Sequence, residues 1–147
     1  MTFLDVSTVP RRPRIVPTPI RSLRQLLRAD AVLTGLAGVL LLATAPDLAD
    51  WAGLSTAGPV RVVGAFFALL AVSLAGISRM ADGLLLRVAP VNAVGDLLWA
   101  VASVVVAVAA DLTGGARALI VVQAVLVFGV GEAKIVLARR ARASALS

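Results

Sequence analysis

Four stretches of about twenty apolar residues, at 26–45, 60–78, 91–110 and 118–138, dictate what this chain can become. A helix rises about 1.5 Å per residue, so such a stretch crosses a hydrocarbon core about 30 Å thick. Inside that core it satisfies every backbone N–H and C=O within itself. Pro46 follows the first stretch, and Pro59 and Pro90 precede the second and third, so the prolines are expected at helix boundaries and not inside helices. A soluble bundle would show a wide polar face on each helix, and none of the four does. The expected fold is an all-α membrane protein, four transmembrane helices in a single bundle over 21–140. A basic, proline-rich arm at 1–20 precedes it, and a basic tail at 141–147 follows.

Composition narrows the chemistry. Of 147 residues 60% are hydrophobic and 15% charged, with a mean hydropathy of +0.99; a soluble domain carries nearer a quarter charged residues. The chain has no cysteine, histidine or tyrosine. That removes disulfides, thiol redox chemistry, thiolate and imidazole metal sites, and the usual general base. Acid–base work would fall to Asp, Glu or Lys. No phosphate-binding glycine loop, HExxH or G-x-S-x-G motif occurs. The chain is therefore not expected to be an enzyme, and no catalytic, cofactor-binding or metal residue is assigned.

Charge sets an expected orientation. Of 14 cationic residues only Arg61 and Arg117 fall on one side of the four spans; the rest fall on the other. The positive-inside rule puts that richer side, with both termini, in the cytoplasm. The net charge of +6 is thus explained by membrane orientation, without a nucleic-acid partner. The 46–59 loop then faces outward with Asp47, Asp50 and an interfacial Trp51. Pro10, Pro13, Pro17 and Pro19 among Arg11, Arg12 and Arg14 predict a disordered or extended cytoplasmic arm. The arginine-rich start, first apolar run and "ATA" at 43–45 loosely resemble a long signal peptide, but Pro46 directly after "ATA" argues against cleavage.

Polar residues inside the spans are the candidate site. Asp30, Asp96 and Glu132 lie about four to six residues from the cytoplasmic ends of three spans, a shared depth of roughly 6 to 9 Å. Asn92 lies just below. In "VNAVGDLLWAVAS", Asn92, Asp96, Trp99 and Ser103 recur at steps of four, three and four, one helical face. A carboxylate in hydrocarbon costs about 2.5–3.5 kcal/mol, so these groups should face the bundle interior or a wet cavity. Candidate charge partners are Arg28, Arg79, Arg87 and Lys134. Lys134 is two residues from Glu132 and points to nearly the opposite side, toward Asp96 or the headgroups. Gln123 falls on a different seam, suited to a hydrogen bond between helices. Ala31, Gly35 and Gly38 form a small-residue surface on the first span, and Gly129 and Gly131 lie just before Glu132; close helix packing explains both.

Two readings of the polar layer stay open. One is an interhelical clamp of salt bridges and hydrogen bonds in a non-enzymatic accessory or scaffolding protein. Such a protein would associate with itself or another membrane protein through small-residue faces. The alternative is a small oligomeric transporter or permeation protein, its carboxylates binding a proton, cation or amine from the cytoplasm.

The segments "LRADAVLTGLAGVLLL" (27–42), "VNAVGDLLWAVAS" (91–103) and "VVQAVLVFGVGEA" (121–133) resemble small four-span integral membrane proteins of high-GC actinobacteria. The Arg-x-Asp-Ala opening, the Asn and Trp of the third span and the Gln of the fourth carry the resemblance, over about 20–140. It implies a multi-pass protein of the cell inner membrane, and little chemistry.

Overall fold

The computed structural model describes residues 18–146 and is all-helical there. Its elements are α1 (Thr18–Ala43), α2 (Ala45–Ala52), α3 (Gly58–Ile77), α4 (Asp82–Ala109) and α5 (Gly114–Leu146). Helices α1, α3, α4 and α5 are long and apolar enough to cross a membrane. They carry outward-facing Val, Leu and Phe along most of their length, as lipid contact requires. The chain is a multi-pass, four-span membrane protein. The proposed arm at 1–20 lies outside the described residues except for 18–20, which open α1.

The helices pair as two antiparallel hairpins, α1 along α3 and α4 along α5, joined where α1 meets α5. Glycine sets the first pairing. A Cβ at Gly38 would lie 2.8 Å from the Ala68 backbone nitrogen and 2.9 Å from the Gly64 carbonyl oxygen. A Cβ at Gly64 would lie 2.9 Å from Leu42 Cγ. The backbones of α1 and α3 are therefore close enough to exclude any side chain at these two positions. The second pairing rests on a heptad-like seam. Buried positions on α4 are Leu85, Ala89, Ala93, Asp96, Ala100, Ser103 and Ala107. Those on α5 include Ala116, Ala124, Gly131, Lys134, Ala138 and Ala141. Steps of three and four keep one stripe facing the partner, and small residues let it approach.

The core is unevenly distributed. Leu23, Leu27, Leu74, Leu85, Ala89, Ala138 and Ala141 form one cluster at the end of the bundle that holds the start of α1 and the end of α5. Arg24, Arg139, Arg140 and Arg142 lie there too, and this is called the basic end. Toward the far end the buried positions are mostly alanine: Ala45, Ala49, Ala52, Ala107 and Ala116. Helices α3 and α4, although consecutive, touch little; Phe66 and Phe67 pack on Trp99, with ring centroids 5.1 and 5.2 Å apart. The far half is consequently less filled.

Three boundaries differ from the sequence expectation. Residues 46–59 are not all loop, because α2 occupies Ala45–Ala52. Pro46 lies in its first turn, and Gly53 ends it in the left-handed conformation, at φ 79°. Thr113 ties this short helix to α5: its N–H donates to the Ala52 carbonyl, and its hydroxyl donates to the Trp51 carbonyl and accepts from the Ala116 N–H. The expected tail at 141–147 continues α5 to Leu146. At 33 residues, α5 is about 50 Å long, more than a hydrocarbon core needs, so its arginine-rich end projects beyond it.

The third correction is Pro90, which lies inside α4 and not before it. Proline has no N–H for the carbonyl four residues back, and that carbonyl belongs to Leu86. The Arg142 guanidinium on α5 donates to the Leu86 oxygen at 2.6 Å and fills the vacancy. Arg142→Ala is expected to cost about 1 kcal/mol in thermal unfolding. In a Pro90→Ala background, where residue 90 regains its N–H, that cost should vanish. A double-mutant cycle with no coupling between the two positions would refute this compensation.

Candidate functional site

A single ammonium stands at the centre of the intramembrane polar residues. Lys134 is fully buried, and it is the largest fully buried side chain among the described residues. Its Nζ donates to Asp30 Oδ2 on α1, to Asn92 Oδ1 at 2.8 Å and to Asp96 Oδ2 at 2.7 Å on α4. An ammonium has three N–H donors, and all three are used. The Thr34 hydroxyl, one turn along α1, donates to the other Asp30 oxygen at 3.2 Å. Three helices are thus tied through one nitrogen.

Local sequence explains why each group arrives there. Asn92 and Asp96 are one turn apart on α4 and share a face. Lys134 continues the small-residue seam of α5, three residues past Gly131 and four before Ala138. A Cβ at Gly131 would stand 3.2 Å from Asp96 Cβ and 3.3 Å from the Ala93 carbonyl oxygen, so this glycine brings α5 against α4 beside the ion pair. Gly129 has open space where a Cβ would be, and it plays no part in that approach.

The remaining candidates are not brought in. Glu132 is exposed, a correction to its expected place in the carboxylate layer. It shares the depth of the others but lies roughly 200° around α5 from Lys134, and the inward place belongs to the lysine. Arg28, Arg79 and Arg87 are exposed and form no ion pair among the described residues. Arg28 is two residues before Asp30 and faces away from it by the same rotation, Arg87 lies on α4 between the buried Leu85 and Ala89 and points outward, and Arg79 sits in the turn between α3 and α4. Among the described residues Gln123 makes no bond between helices, and its Nε2 is buried without a partner.

A second polar clamp has no counterpart among the expected sites. The Arg24 guanidinium on α1 donates to the Ser78 carbonyl, to the Met80 carbonyl at 2.9 Å and to Asp82 Oδ1 at 2.7 Å. It thereby satisfies carbonyls left open at the end of α3 and fixes the turn into α4. An arginine near the start of the first span reads equally well as a headgroup contact, so the sequence carried no signal for this clamp.

No known protein family, curated protein or solved structure matches this chain. What the site can do must come from its own chemistry. The position a metal cation would take among Asp30, Asn92 and Asp96 is filled by the Lys134 ammonium. With all three groups ionised, Lys134, Asp30 and Asp96 together carry a formal charge of −1. Both carboxylates lie within bonding distance of the same nitrogen, and their side chains are only 18% and 9% exposed.

Proposed function

We propose that this chain is a non-enzymatic accessory or scaffolding protein of a bacterial inner membrane, with both termini in the cytoplasm. In this reading the Lys134 cluster is a structural clamp. The observation that carries it is the complete use of the buried ammonium: every donor of Lys134 has an acceptor on α1 or α4, and none is left for a ligand. The concentration of arginine at the basic end supports the orientation. Self-association, or association with another membrane protein, is part of the proposal.

A second reading is favoured by one feature. Two carboxylates face one ammonium, and a proton or small cation would neutralise the excess, as a small oligomeric transporter would require. Reconstitution in liposomes separates the two. The clamp reading predicts proton and monovalent-cation flux equal to that of empty liposomes. Flux that is present in the native protein, lost in Asp96→Asn and kept in Glu132→Gln would replace it with the transporter reading. A C-terminal green fluorescent protein fusion should fluoresce in bacterial cells if the C-terminus is cytoplasmic.

A further inference from the structure

The far half of the bundle holds a partly open cavity of about 550 Å³, within the usual size range of small-molecule sites. It extends along α4 from Trp99 to Ala110, about 16 Å of helix. Helix α2 and the loop after it close one side through Trp51 and Leu54, α3 contributes Phe67, and α5 contributes Ile120 and Gln123. Small residues on α4, Ala102 and Ser103 among them, and the sparse meeting of α3 with α4 leave this volume open. Among the described residues no charged side chain lines it.

Two of its lining residues carry the only buried side-chain polar atoms without a hydrogen-bond partner among the described residues: Trp99 Nε1 and Gln123 Nε2. Both are donors. The Trp99 ring is stacked on Phe66 and edge-on to Phe67, so it is held in place. The Gln123 amide ends a flexible side chain on the cavity wall. Both nitrogens are buried, so in this conformation neither opens onto the space; a turn of the flexible Gln123 amide would bring its N–H to a ligand there, and a buried donor is costly to leave unmade.

We propose that this cavity binds an uncharged lipophile carrying a hydrogen-bond-accepting oxygen, such as an ester or ketone carbonyl. The lining selects the class. Apolar walls favour a hydrocarbon body, unpartnered N–H groups favour an acceptor, and the lack of a cationic side chain disfavours a carboxylate or phosphate inside. The carbonyl can belong to a membrane glycerolipid whose headgroup stays outside, or to a free neutral lipophile. The site is separate from the Lys134 cluster and does not depend on the clamp reading.

The test uses the full chain in detergent, titrated with 2-undecanone and with undecane, which has a similar shape but no acceptor. Fluorescence of Trp51 and Trp99, both on the cavity wall, reports binding, with free concentrations corrected for micelle partitioning. The ketone should bind about tenfold more tightly than the alkane. Gln123→Leu should cut that preference to about threefold or less while leaving undecane affinity unchanged. Ala102→Phe, which narrows the cavity from an exposed position outside the α4–α5 seam, should weaken both ligands. Equal affinity for the two molecules, an undiminished preference in Gln123→Leu, or unaltered binding in Ala102→Phe would each overturn the proposal. Native mass spectrometry then distinguishes the sources: a retained glycerolipid assigns the carbonyl to the membrane, and a smaller neutral mass assigns it to a free lipophile.

Discussion

Lys134→Met is expected to cause a large loss of stability, about 3–5 kcal/mol. The methionine fills a similar volume, so the cost does not come from a cavity. It comes from Asp30 and Asp96, which are left in a largely buried place without their shared cation. Thermal unfolding in detergent reads the effect. Adding Asp30→Asn and Asp96→Asn to Lys134→Met should recover a large part of the loss, because the triple variant leaves no net charge behind. A triple variant no more stable than Lys134→Met would show that the lysine contributes packing and not charge. Lys134→Arg should also destabilise: the planar guanidinium does not fit a place built for a compact ammonium with three acceptors.

The second large effect is expected at the crossing of α1 and α3. Gly38→Ala places a methyl group 2.8 to 2.9 Å from backbone atoms of Ala68 and Gly64, and backbone cannot turn aside as a flexible side chain can. The helices must separate, at a cost of about 1–3 kcal/mol, and Gly38→Leu should prevent the native pairing altogether. Gly95→Ala on α4 is the control, since a Cβ there meets nothing within 4 Å. It should leave the unfolding temperature unchanged or raise it slightly, as alanine favours helix over glycine. Equal effects at Gly38 and Gly95 would mean that the two helices are not packed this closely.

Much of this architecture is legible in the sequence because its cause is one-dimensional. Apolar length against bilayer thickness gives four spans, and the α4 face of Asn92, Asp96, Trp99 and Ser103 follows from helical periodicity. Pro90 was not legible, because the partner of its orphaned carbonyl, Arg142, is 52 residues further along the chain. Helix α2 was legible but hidden by its shortness. Pro46 and Gly53 are a helix start and stop, yet they stand where a loop between spans is expected. Depth alone places Glu132 beside Asp30 and Asp96. The small-residue seam of Ala124, Gly131, Ala138 and Ala141 shows which side of α5 faces inward, and Lys134 lies on that side while Glu132 does not. Reading seam and depth together would have chosen the lysine.

Lys134 is the only lysine in the chain, which makes its surroundings directly measurable. Native protein in detergent is treated with a membrane-permeant amine-reactive ester, and the peptide containing residue 134 is examined by mass spectrometry. A buried ammonium bonded to Asp30, Asn92 and Asp96 predicts that Lys134 stays unmodified in the folded protein. It should react fully once the protein is unfolded in denaturant, and measurably in the folded Asp30→Asn/Asp96→Asn variant. Modification of Lys134 in the native protein at the rate seen after unfolding would place it among the headgroups and contradict the clamp.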